Sequence, residues 1–168
     1  MRIVVTGADG FIGKNLRVRL REAGQSDVVA ITRQSTDQEI QAALAGADLV
    51  YHLAGVNRPH DPTEFSIGNA GLTAVLCDAL TKAGRNARLV ISSSTQAAMD
   101  NPYGLSKRQA EVHARAYGST TGATVCVLWA QPVTDTAIST GHRHPRNSRV
   151  RNVMRVLRSG DARGVMEP

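Results

Sequence analysis

Tyr103 and Lys107 stand as Y-x-x-x-K in the run Tyr-Gly-Leu-Ser-Lys, and Ser92-Ser93-Ser94 lies shortly before them. Four residues is about one helical turn, so a helix there puts the phenol and the ammonium on one face. An ammonium beside a phenol favours the phenolate, which makes the phenol a useful proton donor near neutrality. Lys107 can also bond the ribose of a nicotinamide cofactor. A serine hydroxyl nearby can donate to a carbonyl oxygen that gains charge during reduction. Ser94 is the expected donor, with Ser93 next. Together the three types suit the reduction of a carbonyl.

Such chemistry needs a hydride source, and the N-terminus supplies the expected holder. Gly7-Ala8-Asp9-Gly10-Phe11-Ile12-Gly13 follows an apolar strand and opens a helix, the context that gives a G-x-x-G-x-x-G spacing its meaning. Gly7 permits the tight turn, Gly10 lets the backbone approach a pyrophosphate, and Gly13 lets helix pack on strand. The helix N-terminus then offers free N–H groups and partial positive charge. At the end of the second strand, where NAD sites usually carry an acidic residue, the chain reads Thr32-Arg33-Gln34. Arg33 can fork onto a 2′-phosphate, which favours NADP(H). NAD(H) is the alternative, with Arg33 solvated and Asp37 approaching the ribose.

The elements that must position these residues alternate. Strands are expected at 2–6, 27–32, 48–53, 88–92 and 123–129, each apolar throughout, as buried parallel strands are. Helices are expected from Phe11 to Gly24, from a Thr36/Glu39 capping box to Gly46, from Phe65 to Ala83, and from Tyr103 to Gly118. Strand alternating with helix predicts an α/β fold, a doubly wound parallel sheet with right-handed crossovers.

Composition sets the frame. The 168 residues suit one domain, and 42% hydrophobic with 20% charged residues is globular composition. No apolar run reaches the roughly 18 residues of a membrane span. Met1–Gly7 is too short an apolar stretch for a signal peptide. Cys77 and Cys126 sit in apolar runs and read as buried free thiols, so a cytoplasmic, reduced protein is expected. The net charge of +6 belongs mostly to residues 131–168, with 7 Arg and no Lys against 3 acids. Residues 1–130 hold 13 Lys and Arg against 11 acids, which argues against a specific nucleic-acid partner. The organisation expected is a nucleotide-binding domain over 1–130 and a basic, divergent or truncated tail over 131–168. In that tail Val150, Val153, Met154 and Leu157 follow a helical spacing. His142 and His144 form an H-x-H in an arginine-rich stretch, which is more often solvated than metal-bound, so no metal site is expected.

The runs TGADGFIG (6–13), HLAG (52–55), Asn69, SSS (92–94) and YGLSK (103–107) resemble the extended short-chain dehydrogenase/reductase family, the NAD-dependent epimerases and dehydratases. That resemblance implies that Leu53, Ala54 and Gly55 line the cofactor beside Gly7, Gly10, Phe11, Ile12 and Gly13, and that Asn69 braces the site. HLAGVNRP (52–59), SSSTQA (92–97) and DNPYGLSK (100–107) are similar to a narrower group. Its members are the bacterial UDP-2-acetamido-2,6-dideoxyhexulose reductases of capsule and O-antigen (UDP-N-acetyl-L-fucosamine) synthesis. The resemblance implies NADPH-dependent reduction of a 4-keto UDP-sugar, with catalytic Ser94, Tyr103 and Lys107. It also implies a homodimer through the helices over 65–83 and 103–118. It runs to about residue 129, where the family's usual Asn-hydrophobe-aromatic-Gly run is replaced by Ala130-Gln131-Pro132-Val133. The expectation is therefore a family member whose C-terminal substrate domain is largely missing, with at most weak reductase activity by itself. The alternatives are an NAD-dependent nucleotide-sugar epimerase or dehydratase, and a non-catalytic dinucleotide-binding protein.

Overall fold

The computed structural model of the chain describes residues 1–130. The amphipathic segment near 150–158 and the His142/His144 pair lie outside them. In chain order the elements are β1 (Ile3–Thr6), α1 (Phe11–Glu22), β2 (Val28–Ile31), α2 (Asp37–Ala45), β3 (Leu49–His52) and α3 (Thr63–Phe65). A π-helical turn (Ser66–Gly71), α4 (Leu72–Ala83), β4 (Arg88–Ser94), a 3₁₀ turn (Thr95–Ala98), α5 (Pro102–Thr121) and β5 (Val125–Ala130) follow. The strands pair in parallel in the order β2-β1-β3-β4-β5. This is the doubly wound parallel sheet expected from the alternation.

Side chains leave a strand on alternate faces, so each apolar strand feeds two cores. Val4, Ile31, Val50, Leu89, Ile91 and Val127 meet Leu44 of α2, Leu76 and Leu80 of α4, and Ala114 and Tyr117 of α5. On the opposite face Ile3, Val5, Leu49, Tyr51 and Val90 meet Leu16 and Leu20 of α1. Both leucines are buried, which contributes about 1.5–3 kcal/mol each. With helices on both faces, β1 and β3 are wholly buried, which is why they carry no solvent-facing alternation.

The ends of the elements follow local chemistry. Thr36 caps α2 in a reciprocal capping box with Glu39, as the T-x-x-E spacing predicts. Asn101 accepts from the Gly104 amide at 2.7 Å and Pro102 fills the first position of α5, so that helix starts one residue before Tyr103. Gly122 ends it in the left-handed conformation. Two expectations are corrected. The helix expected over 65–83 is broken by the π-helical turn, and β4 runs on through Ser94 because Ser92, Ser93 and Ser94 pair with Leu128, Trp129 and Ala130. Cys77 is a buried free thiol, whereas Cys126 is only half-buried.

Candidate active site

The glycine loop leaves β1 at Gly7, whose φ of 65° is a left-handed value that L side chains rarely adopt. A Cβ on Gly7 would lie 2.7 Å from the Ala54 amide nitrogen, so only glycine lets this turn pass against the 53–55 segment. A Cβ on Gly13 would lie 2.3 Å from the Gly7 carbonyl, which is how closely α1 sits on the loop. At Gly10 a Cβ would meet the Gly7 carbonyl at 3.2 Å and otherwise open space. Gly10 is the N-cap of α1 and no side chain caps that helix. The mouth of α1 is thus an open cradle with backbone donors facing it, the arrangement that takes a phosphate. Phe11 is exposed and Ile12 half-buried at its rim. Arg33 is exposed in the turn closing β2 and makes no ion pair among the described residues. Asp37 is exposed at the start of α2.

Leu53, Ala54 and Gly55 continue from β3 alongside this cradle. The Ala54 amide donates to Thr6 Oγ1 at 3.3 Å, tying the segment to the end of β1. A Cβ on Gly55 would lie 2.5 Å from Asn69 Oδ1 and 3.3 Å from Lys107 Nζ. The floor of the crevice and the Y-x-x-x-K helix therefore touch at Gly55. Lys107 is buried and donates to the Ser92 carbonyl at 3.3 Å, while its Nζ lies 5.8 Å from the centre of the Tyr103 ring. Burial holds Lys107 below the ordinary lysine range, and the Glu111 carboxylate one turn along α5 pulls the other way. Tyr103 is half-buried and packs edge-on against Phe65 at 5.3 Å.

Of the serines, Ser94 is buried and its Oγ accepts from the Gln96 amide at 3.2 Å, a bond that does not use its own proton. Ser93 points to the other face and donates to Glu111 Oε1 at 2.5 Å. The Trp129 indole donates to the same oxygen at 2.7 Å. Gly104 sets the distance between Ser94's turn and the start of α5, since a Cβ there would lie 2.2 Å from the Gln96 carbonyl.

Asn69 sits in the π-helical turn, 1% exposed, with every polar group of its side chain engaged. Oδ1 accepts from the Val56 amide, and Nδ2 donates to the Val56 carbonyl and to Ser106 Oγ, all at 3.0 Å. Ser106 donates in turn to the Tyr103 carbonyl at 2.7 Å. A one-residue widening of a helix is a frequent device at functional sites, and here it aims a buried amide between two loops. Residue-level reading missed Glu111, His52 and Thr73. A histidine ending an otherwise apolar strand was the available signal for the second of these. No group of three His, Cys, Asp or Glu able to hold a metal occurs among the described residues.

A dinucleotide-type glycine loop, a facing strand-end segment and a Lys–Tyr helix turn, all at the C-terminal edge of one parallel sheet, define the class. The model of the NAD dependent epimerase/dehydratase family matches residues 3–159, and the chain belongs to that family. The match continues beyond residue 129, the expected end of the resemblance. Among its relatives, UDP-2-acetamido-2,6-beta-L-arabino-hexul-4-ose reductase of Pseudomonas aeruginosa is 43% identical over 148 residues, 83% of this chain and 40% of that enzyme. The capsular polysaccharide assembling protein CapF of Staphylococcus aureus is 40% identical with a TM-score of 0.66, over 83% of this chain and 40% of that one. RMD of Pseudomonas aeruginosa, solved with NADPH, is 27% identical with a TM-score of 0.61, over 78% of this chain and 54% of that one. The chain thus spans 40% of the length of the reductase it resembles.

Proposed function

We propose that this chain binds NADP(H) across the C-terminal edge of β1 and β3 and presents the Ser94, Tyr103 and Lys107 machinery of a reductase acting on a 4-keto UDP-sugar. The observation that carries it is the contact at Gly55, which joins a phosphate-fitting cradle to Lys107 in one crevice. The residues fit the cofactor. Gly7, Gly10, Phe11, Ile12 and Gly13 hold the pyrophosphate, Leu53, Ala54 and Gly55 form the floor, and exposed Arg33 is free to take a 2′-phosphate. When bound, NADPH supplies the hydride. Tyr103 gives the proton to the carbonyl oxygen, Ser94 donates a hydrogen bond to that oxygen, and Lys107 holds Tyr103 and the cofactor ribose. The reductase named among the relatives supports the sugar, and the NADPH-bound neighbour supports the cofactor. Free thiols at Cys77 and Cys126 fit a reducing cytoplasm. No helix among the described residues is long and apolar enough to cross a membrane. The partner we infer besides the substrate is a second copy of the chain.

Thermal unfolding with each nucleotide tests the cofactor site. A ligand that binds only the folded state stabilises it by about 2.7 kcal/mol at a hundredfold excess over Kd. NADPH is expected to raise the Tm clearly and NADH less, with the difference shrinking in Arg33→Ala. Equal shifts, unchanged in Arg33→Ala, would move the assignment to NAD and to an epimerase or dehydratase. No shift with either nucleotide would remove the cofactor site from this chain. With binding in hand, the expected activity is at most a weak consumption of NADPH on a UDP-4-keto sugar, abolished in Tyr103→Phe; steady turnover would overturn the expectation of weak activity.

A further inference from the structure

His52 ends β3, is 4% exposed, and has both ring nitrogens bonded to threonines from different elements. Thr6 Oγ1 of β1 lies 2.8 Å from Nδ1, and Thr73 Oγ1 of α4 lies 3.1 Å from Nε2. Parallel pairing places Thr6 beside His52, and α4 covers that face of the sheet. A hydroxyl has one proton to give, so the direction of each bond can be worked out. Thr73 gives its proton to the Asn69 carbonyl at 2.7 Å, and toward His52 it can only accept. Nε2 must therefore carry the hydrogen. Nδ1 is then an acceptor and takes the proton of Thr6, whose oxygen accepts the Ala54 amide.

The opposite tautomer fails at both ends. Nδ1–H would face Thr6 as a second donor beside the Ala54 amide, leaving the buried Thr6 hydroxyl no acceptor. Thr73 would have to choose between Nε2 and the Asn69 carbonyl. A doubly protonated ring strands the Thr6 proton in the same way. Buried donors without partners are rare in folded proteins because their lost hydration is not replaced.

We infer that His52 is a positioning residue: as the neutral Nε2–H tautomer it carries a one-way hydrogen-bond relay from the Ala54 amide, through Thr6, His52 and Thr73, to the Asn69 carbonyl. The relay clamps the 53–56 floor between β1 and the π-helical turn. Asn69 closes it by holding Val56 directly and the Tyr103 turn through Ser106. The two side chains bonded to the ring, Thr6 on β1 and Thr73 on α4, are neutral, and Ile91 of β4 pairs beside it. Lys107 on α5 is the cation that bears on it, and it opposes protonation. That the relay positions a cofactor rests on reading 53–56 as a cofactor floor; the tautomer does not.

Two measurements on the full 168-residue chain test this. Long-range proton–nitrogen spectra of histidine-labelled protein, with the His52 signal assigned by its loss in His52→Asn, should show Nε2 protonated and Nδ1 bare. The pattern should persist from pH 8 to pH 5.5. An Nδ1–H pattern, or titration near the ordinary histidine value, overturns the relay. Amide exchange then reads the clamp. In His52→Leu, and in Thr73→Val should the first not fold, Ala54 and Val56 amides should exchange about tenfold faster relative to core amides such as Val4 and Val50, with His52→Gln recovering part of the loss. Exchange that changes equally at all four positions marks a purely structural histidine and rejects the positioning role. NADPH affinity in the same variants should weaken about tenfold, the equivalent of one lost hydrogen bond. A wild-type chain that takes up no NADPH sinks the cofactor assignment alone, because spectra and exchange still decide the relay.

Discussion

A neutral histidine held in a buried relay leaves a mark on stability. Burial first, and the Lys107 cation second, push His52 down to about 4 from an ordinary value of 6.5. Because the folded value lies below the unfolded one, the unfolded chain binds the proton more readily. The contribution is whole above pH 6.5 and is lost progressively as the pH falls from there toward 4. At 1.36 kcal/mol per unit the loss between pH 7 and pH 5 is about 2 kcal/mol. Urea unfolding at the two pH values should show that loss in the wild type beyond whatever remains in His52→Gln, which has no titrating ring. A His52→Gln chain with the same pH dependence as the wild type would mean that the imidazole is not held neutral. Lys107 shows a related economy. It is a buried ammonium whose ordinary basicity is reduced by desolvation and partly restored by Glu111, which is itself shared between Ser93 and Trp129.

At the scale of elements, the feature with most consequence is the π-helical turn between α3 and α4. α4 is fixed by Leu76, Cys77 and Leu80 in the core, so anything N-terminal to Leu72 takes its rotation from the turn. One residue of an α-helix is about 100° of rotation. Deleting Gly71 should convert the turn to regular helix and swing Asn69 away from Val56 and Ser106. The expected result is unchanged helical circular dichroism with lost stabilisation by NADPH; retained stabilisation would show that Asn69 is dispensable to the site. The alternation of strands and helices, the capping box at Thr36 and the glycine loop were legible in the residues because each is written locally, in a period or a fixed spacing. The π-helical turn was not, since Phe65–Ala83 has an ordinary helical period and the widening answers to partners far along the chain. The same holds for the serines. Three adjacent hydroxyls are alike in sequence, and only the pairing of β4 with β5 turns Ser93 toward Glu111 and leaves Ser94 on the opposite face. His52 read as one more residue of an apolar strand because its threonine partners come from β1 and α4.

For the molecule as a whole, the strand order places the crevice at the switch point between β1 and β3. From β1 the chain winds outward to β2, then crosses back to lay β3 on the other side of β1. The loops after β1 and β3 diverge there, opening the crevice that holds the glycine loop and the 53–55 floor. Ile67 of the π-helical turn, Val75 of α4 and Val112 of α5 are 71%, 66% and 60% exposed. Ile67 and Val112 line a groove of about 530 Å³ with Ser66, Ala70, Gly71, Gln109 and His113 between the π-helical turn and α5. Covering apolar side chains that are already partly buried gains roughly 1–2 kcal/mol each, and in the proposed homodimer a second copy presenting the same surface would cover them symmetrically. Sedimentation velocity should therefore find a dimer at micromolar concentration, and Val112→Arg should return it to monomer by placing two like charges across the pair. Because none of the residues lining the groove belongs to the glycine loop, the 53–55 floor or the Ser94, Tyr103 and Lys107 set, Val112→Arg should keep the Tm shift with NADPH seen in the wild type. A wild-type chain that sediments as a monomer would leave this face to the solvent and the second copy without support. A variant that lost both the dimer and the NADPH response would instead tie cofactor binding to assembly through the π-helical turn, the element that carries both Ile67 and Asn69.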